Sequence, residues 1–453
     1  MEIIVSSTAT CLIETLQISL PSVYRTQLRT LRTLTYTHSS AQICPILVPG
    51  LKMGHFLRAL KGIRSILKPG RILLHDKSVF LLLCIASSMQ MNGCSRDEGY
   101  FPLPEIDYYL VVTDSIGVEL GEDEYMFAWA TDPTYSPDGS ILVVDRLKHA
   151  VFVYSAECVY LTTIGREGEG PGEFRMPSTV EFFPDGGLLI SDSDGISIFD
   201  SSYAYIDQLV WDSFSPWIRE ALDDGAVIGN LTQFVPSDEG VEFENVLGRW
   251  DHGEEEASVV YCSIMTEWDL SSPGTIDDTD DRDAALNYCA SRDGRVFYSR
   301  SAIDDFVIHC CDPDGSEFLL IEEDIPHRVG KTYAEMEQEM NSKRSWFNAM
   351  GSRTGRSVDD FEIILDPYRR TIMGMFVDGE DRLWVRLGIH QGIVFRVYDM
   401  DGDVLFHAMV DYPGDQLDLD SWEINGDEYG FLAVNNSMEY CQKVYMLELV
   451  EAE

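Results

Sequence analysis

The feature that most constrains this chain is a turn followed by a short buried strand, and the pair recurs along the sequence. Residues 136–139 read Ser-Pro-Asp-Gly and precede an apolar strand at residues 141–145. Residues 183–186 read Phe-Pro-Asp-Gly and precede a second such strand at residues 188–192. Both quartets are predicted turns, because Pro presets φ and Gly tolerates positive φ. Asp145 and Asp192 lie 47 residues apart, the same offset as Asp138 and Asp185 in the two turns, which indicates a structural repeat.

Four further copies follow. Turn residues at 224–225, 293–294, 381–382 and 427–428 each precede a short apolar run. Six units of about four strands, each ~40–50 residues long, have the period of propeller blades. A blade cannot bury both faces alone, so neighbouring blades must stack around an axis. We therefore predict an all-β fold over residues 105–453, a six-bladed β-propeller of four-stranded antiparallel blades. A long β-sandwich is the alternative, although it does not require a fixed period.

The glycine-rich loop of the second unit resembles a known family. Ile164-Gly165 and residues 168–174, Gly-Glu-Gly-Pro-Gly-Glu-Phe, are similar to the linker between NHL-type propeller repeats. Together with residues 114–119, Asp-Ser-Ile-Gly-Val-Glu, they make the chain similar to bacterial six-bladed β-propeller lipoproteins over roughly residues 105–450. That family is defined by its fold, so the resemblance implies no single activity.

A ring of blades needs a strand that closes it, because an open ring exposes a strand edge. Residues 106–112 read as a strand near the start of the predicted propeller. The C-terminal run at residues 444–450 lacks a following outer strand. We expect these two segments to pair.

Residues 331–370 interrupt the β pattern and predict a helical insertion. Thr332 and Glu335 form a capping box at its start. The segment either packs on the edge of the propeller or serves as a lid or partner-binding element. One apolar stripe is predicted from helical spacing, consisting of Tyr333, Met336, Met340 and Phe347.

The N-terminal region predicts export to the cell envelope. Residues 74–94 contain a charged start and an apolar run too short to span a membrane, the form of a secretory signal. The run ends in Met91-Asn92-Gly93-Cys94, which resembles a bacterial lipobox. The resemblance implies that Cys94 is diacylated and becomes the mature N-terminus, in the periplasm or at the outer surface. Residues 95–104 are polar and suit a tether.

Residues 1–73 precede this signal, although a signal normally begins shortly before its apolar run. We expect them to be a mis-called or disordered extension, with the true start at Met53 or near Leu74. A genuine basic N-terminal extension is the alternative.

Charge and cysteine content limit the partners. The formal net charge is −44, which repels phosphate backbones and anionic lipid headgroups. We therefore expect no nucleic-acid partner and membrane contact only through the lipid anchor. The cysteines beyond Cys94 either form up to three disulfides or pack as free thiols. They are Cys158, Cys262, Cys289, Cys310, Cys311 and Cys441.

Candidate site residues lie on the predicted inner strands of the blades. Six-bladed lactonases resemble this fold and use Glu, Asn and Asp at the central channel, where they hold a metal. No matching lactonase motif is present, but Glu181, Glu220, Asn287 and Glu423 lie on predicted inner strands and are the candidate channel residues. An acidic loop at residues 277–283 is a candidate Ca²⁺ site, but its spacing does not match an EF-hand, so we expect a solvated loop.

Two function classes remain open. The first is a monomeric, extracytoplasmic binding module for a protein, peptide or glycan, with no catalytic residues and no cofactor. The second is a divalent-metal-dependent hydrolase or lyase acting on a small molecule in the channel. We favour the first, because fold alone does not imply function and no catalytic motif is present.

The lipobox predicts the chemistry of the mature N-terminus. Mass spectrometry of the membrane fraction should detect an acylated peptide that begins at Cys94. An unmodified peptide spanning Gly93 and Cys94 in the mature protein would contradict this prediction.

Overall fold

Each repeated unit is a four-stranded antiparallel sheet in the computed structural model. The structure describes residues 99–183, 185–193, 195–210, 216–222, 224–236, 241–251, 254, 256–267, 275–277, 286–354, 362–412, 422–435 and 441–452. All of them lie in one unit, Asp97–Glu453. The predicted signal, Cys94 and most of the acidic loop at residues 277–283 lie outside the described residues.

Blades 1 to 3 follow one another along the chain after strand β1 (Tyr108–Ile116) and a short 3-10 helix (Asp123–Tyr125). Blade 1 contains β2 (Ala130–Tyr135), β3 (Ile141–Asp145), β4 (Ala150–Tyr154) and β5 (Tyr160–Ile164). Blade 2 contains β6 (Thr179–Phe182), β7 (Leu188–Asp192), β8 (Gly195–Phe199) and β9 (Tyr205–Leu209). Blade 3 contains β10 (Trp217–Ala221), β11 (Val227–Pro236), β12 (Val241–Trp250) and β13 (Val259–Glu267).

Blades 4 to 6 surround the insertion. Strand β14 (Thr275–Asp277) precedes blade 4, which contains β15 (Leu286–Ala290), β16 (Val296–Arg300), β17 (Asp305–Cys311) and β18 (Glu317–Asp324). Helix α1 (Tyr333–Thr354) and β19 (Glu362–Ile364) follow, and β19 pairs in parallel with β14. Blade 5 contains β20 (Ile372–Val377), β21 (Leu383–Leu387), β22 (Val394–Tyr398) and β23 (Val404–Asp411). The last strands are β24 (Trp422–Gly426), β25 (Phe431–Asn435) and β26 (Val444–Glu451).

Strand β1 closes the ring. It pairs antiparallel with β26, from Tyr108 opposite Glu451 to Ile116 opposite Val444, and so becomes the outer strand of blade 6. This pairing confirms the expected closure, with a strand that begins two residues later and ends four residues later than predicted. β1 also pairs in parallel with β23. Blades 5 and 6 are thereby joined in one eight-stranded sheet, a connection that the sequence did not predict.

The predicted turns form at the expected positions. Gly139 adopts a φ of +82° and donates its backbone N–H to the carbonyl of Ser136 at 2.8 Å. Gly186 adopts a φ of +86° and donates to the carbonyl of Phe183 at 2.9 Å. Any other residue at either position would have to adopt the left-handed conformation, which is unfavourable for a residue with a Cβ atom. The turn residues therefore specify where each hairpin of the blade reverses.

The core consists of apolar layers between neighbouring blades. Cys310 and Cys311 alternate along β17, so each enters a different layer. Cys310 packs with Phe297 and Leu383, whereas Cys311 packs with Val296. All six cysteines that the structure describes are free thiols. The free-thiol alternative therefore describes this structure, and the side chains act as small apolar core groups.

The insertion forms a helix with the predicted cap. Thr332 donates its backbone N–H to Glu335 Oε2 at 2.6 Å, and Glu335 donates its own to Thr332 Oγ1 at 3.2 Å. The apolar stripe is wrong at Tyr333, whose side chain is 81% exposed because it lies at the open first turn. Met336 and Met340 are half-buried, and the side chain of Phe347 lies outside the described part of the chain.

The segment before β1 contacts the propeller. Phe101 donates its backbone N–H to the carbonyl of Ile389 at 2.9 Å, and its ring stacks on His327 with centroids 4.3 Å apart. Residues 99–104 belong to the expected tether. Their contacts show that at least this end of the segment is held on the domain.

We predict that the closing strand stabilises the whole ring. Leu110 of β1 is fully buried between blades. Leu110→Ala should lower the free energy of unfolding by about 2–5 kcal/mol, because it leaves a cavity in this layer. Leu120→Ala is the matched control, since Leu120 is 88% exposed, and should change it by no more than about 0.5 kcal/mol. Equal effects in chemical denaturation would contradict this role for β1.

Candidate functional site

One strand of every blade lines a central cavity of about 720 Å³. These inner strands are β2, β6, β10, β15, β20 and β24, and each contacts the next around the ring. The cavity wall therefore combines side chains that lie hundreds of residues apart in the sequence. Ligand sites of propellers and barrels form in this kind of central opening.

Buried aspartates at the ends of β3 and β7 position the loops beside the cavity. Asp145 is fully buried and accepts the backbone N–H groups of Trp129 at 3.1 Å and Lys148 at 3.0 Å. Asp192 occupies the equivalent place in blade 2 and accepts the N–H groups of Arg175 at 3.0 Å and Met176 at 2.5 Å. Because a buried carboxylate needs several donors, each aspartate fixes the loop that supplies them.

An arginine and two carboxylates form an ion-pair network on the cavity wall. Arg219 of β10 donates Nη1 to Asp132 Oδ1 at 3.2 Å, and the same nitrogen lies 3.7 Å from Glu423 Oε1. Glu423 of β24 also accepts the hydroxyl of Thr131 at 3.0 Å. The other Asp132 oxygen accepts the N–H of Val180 at 2.8 Å. The network thus connects blades 1, 2, 3 and 6 around the axis.

The backbone at Asp132 is unusual. Its φ is +47°, in the left-handed region, and the pairing of β2 with β3 shifts register between Thr131 and Thr134. The backbone N–H of Asp132 donates to Glu423 Oε2 at 3.3 Å. A non-glycine residue in this conformation costs about 1–3 kcal/mol and is held there by its surroundings. Such strain is concentrated at functional sites in proteins.

Three carboxyl groups of the cavity have a raised pKa. Burial raises the pKa of Asp132 to about 7, with Arg219 opposing the shift and Glu423 adding to it. Burial also raises the pKa of Glu181 well above its ordinary value of 4.5, and nearby Asp132 and Glu220 raise it further. The pKa of Asp427 rises to about 6, again mainly through burial. Acidic groups close together in a low-dielectric wall cannot all ionise.

All four sequence-predicted channel residues line this cavity: Glu181, Glu220, Asn287 and Glu423. Asn287 donates Nδ2 to the carbonyl of Ile372 at 3.1 Å, so part of its side chain links blades 4 and 5. The functional role of the four residues remains a prediction.

Sequence reasoning missed Asp132, Arg146 and Arg219, which also line the cavity. The two arginines were missed because only carboxylates and amides were sought, in accordance with a metal site. Asp132 was missed because residues 130–135 were not assigned to an inner strand. A search for every polar residue on the inner strands would have found Arg219 beside Glu220.

Helix α1 contributes to the same wall through Ser342 and Lys343. Its first turn is anchored to the propeller by Arg369, whose Nη1 lies 3.0 Å from Glu335 Oε1. Both side chains of this pair are at least 90% buried. The insertion therefore does more than pack on an edge, because it supplies part of the cavity wall.

The raised pKa of Glu181 predicts a pH-dependent stability. A carboxyl whose folded pKa exceeds its unfolded pKa stabilises the protein at low pH, and this contribution is lost as the pH rises. Glu181→Gln cannot ionise, so its stability relative to wild type should increase between pH 4 and pH 8. Chemical denaturation across this range measures the difference. Glu119→Gln, at an exposed position, is the control, and its free energy of unfolding should change with pH as that of the wild type does. The prediction is contradicted if the stability difference between Glu181→Gln and the wild type is the same at every pH.

Comparisons with known proteins agree with this fold. A family model described as a 6-bladed β-propeller matches residues 135–190. No curated protein shows significant sequence similarity to the chain.

Similar solved structures include a Bacteroides vulgatus protein with 11% identity that covers 77% of this chain and 100% of its own, at a TM-score of 0.41. A calcium-binding protein, regucalcin, from Agrobacterium tumefaciens has 13% identity, coverage of 76% and 97%, and a TM-score of 0.35. A gluconolactonase from Xanthomonas campestris has 12% identity, coverage of 74% and 98%, and a TM-score of 0.36. The repeat, the ring of four-stranded sheets and the family match identify the chain as a six-bladed β-propeller protein.

Proposed function

We propose that this protein is a binding module that takes the end of a glycan into its central cavity. The observation that carries the proposal is a set of buried polar atoms on the cavity wall. Arg146 Nε, Thr179 Oγ1 and Ser342 Oγ are buried and have no hydrogen-bond partner among the described residues. An unpaired buried polar group costs about 1–3 kcal/mol. All three residues line the cavity, so its wall has hydrogen-bonding capacity that its own side chains leave unused.

The size and composition of the cavity support a saccharide. Its volume of about 720 Å³ lies in the range of about 300–1,000 Å³ that holds small ligands. A folded protein is too large to enter it. Trp129, Trp217 and Trp422 supply aromatic surface, and the carboxylates and Asn287 supply hydrogen-bonding groups. A sugar ring has an apolar face of C–H groups and a rim of hydroxyls, which match these two kinds of side chain.

A second candidate function is a hydrolase or lyase acting on a small molecule in this cavity. The raised pKa values of Glu181 and Asp132 favour it, because a carboxyl that stays protonated near neutral pH can act as a general acid. The metal-dependent form fits these residues poorly. The guanidinium of Arg219 already lies between Asp132 and Glu423, at 3.2 and 3.7 Å, where a divalent cation would need their oxygens.

We also propose that the module is monomeric and anchored at the cell envelope through Cys94. Support comes from the apolar run and lipobox-like residues of the sequence, which lie outside the described residues. In the described part of the chain, no helix is long and apolar enough to cross a membrane.

We expect a panel of oligosaccharides to contain ligands that bind saturably in isothermal titration calorimetry. Trp217→Ala should weaken this binding at least about tenfold, because it removes a half-exposed aromatic surface from the cavity wall. Tyr333→Ala is the matched control, since Tyr333 is an exposed aromatic residue on the helix. It should leave the affinity unchanged.

Other outcomes separate the alternatives. If short peptides bind saturably instead, and Trp217→Ala weakens that binding, then the ligand is a peptide and not a glycan. Turnover of a lactone or glycoside would establish the second candidate. The metal-dependent form of the second candidate would be established if calcium raises the unfolding temperature saturably at constant ionic strength and Glu181→Gln abolishes this increase. Absence of binding to every member of both panels would contradict the proposed function.

A further inference from the structure

Arg146 occupies a fixed place beside the cavity. It follows β3 directly and donates its backbone N–H to the carbonyl of Trp129 at 3.0 Å. Asp145, the buried aspartate described above, holds both sides of this connection through its backbone contacts. The side chain lines the central cavity. Its position is therefore determined by the repeat itself and not by a mobile loop.

Aromatic rings hold the guanidinium of Arg146. Its central carbon lies 4.4 Å from the ring centroid of Trp129 and 5.5 Å from that of Trp217. A cation over the face of an indole ring is attracted by the ring electrons. These contacts orient the guanidinium, but they use none of its N–H groups.

The N–H groups of Arg146 have almost no acceptors. Nη2 donates to the sulfur of Met176 at 3.2 Å, a weak acceptor, and the buried Nε has no partner among the described residues. Among the described residues, no carboxylate forms an ion pair with the guanidinium of Arg146. Arg219, on the same wall, is by contrast paired with Asp132 and Glu423. Burial lowers the pKa of Arg146, while the more distant Glu423 and Asp192 oppose the change.

The guanidinium of Arg146 is half-buried, so it has lost part of its hydration without gaining a carboxylate partner. A ligand carboxylate would complete the pair. The planar fork of the guanidinium matches a carboxylate through two parallel hydrogen bonds. A phosphate is less suitable, because its second negative charge would face the carboxylates of the same cavity. We propose that Arg146 is an anion subsite that pairs with a single carboxylate of the ligand. Building on the proposed glycan-binding function, the ligand is an acidic glycan that presents a uronic acid to the cavity.

The test compares two disaccharides that differ only in one group, a terminal glucuronate and a terminal glucose, by calorimetry at constant ionic strength. The wild type should bind the acidic disaccharide at least about tenfold more tightly, as expected for one charge-assisted pair. Arg146→Gln should remove this preference, so that the ratio of the two affinities falls to within about twofold of one. Arg146→Lys should keep part of the preference, because it retains the charge but not the planar fork.

Arg166→Gln is the matched control, since Arg166 is an arginine whose side chain is 80% exposed and pairs with Glu173 away from the cavity wall. It removes the same charge and should leave the preference unchanged. Thermal unfolding of each variant verifies that it is folded. Sodium acetate provides a second probe, which should change the tryptophan fluorescence saturably in the wild type and not in Arg146→Gln.

The outcomes separate this inference from the proposed function. Equal or tighter binding of the neutral disaccharide would overturn the anion subsite while supporting glycan binding. An acidic preference that survives in Arg146→Gln would also overturn it. A saturable acetate response that depends on Arg146, without binding of any oligosaccharide, would support the subsite and contradict the glycan function. Absence of both responses would overturn both.

Discussion

The pairing of β1 with β26 is the contact on which the rest of the structure depends. The two strands come from opposite ends of the propeller sequence, and their pairing supplies the fourth strand of blade 6. An open ring would expose the edge of β26 and the apolar layer around Leu110. It would also separate β24 from β2, whose contact completes the wall of the cavity. Closure of the ring and formation of the site are therefore one event.

Inside the ring, charge is balanced locally although the protein as a whole is strongly acidic. Arg219 neutralises part of the charge on Asp132 and Glu423. Glu181 reduces the remaining repulsion by holding its proton, since burial and its acidic neighbours raise its pKa. Arg146 lies on the same wall with aromatic neighbours in place of acids. These differences make one part of the cavity suitable for neutral hydroxyl groups and another suitable for an anion.

The sequence predicted the elements that depend on local chemistry. Pro-Asp-Gly turns predict hairpins because glycine tolerates a positive φ, which Gly139 and Gly186 adopt. Thr332 with Glu335 predicts the start of a helix, and the structure shows this cap. It also placed Glu181 and Glu423 on inner strands, which the structure brings to one cavity. Tyr333 was assigned to a buried stripe from helical spacing alone. Spacing identifies one face of a helix, but only the neighbouring blade decides how much of that face is covered.

By itself, the sequence determined the all-β class and the number of repeated units, because these follow from turn chemistry and from repetition. It also indicated the closing strand, because the last predicted blade lacked an outer strand. The tertiary structure decided which side chains meet. Asp132, Arg219 and Glu423 belong to blades 1, 3 and 6, and no local pattern relates them. The ion pairs, the raised pKa values and the unpaired donors of Arg146 all arise from distances across the axis and from burial, and neither is a property of sequence spacing.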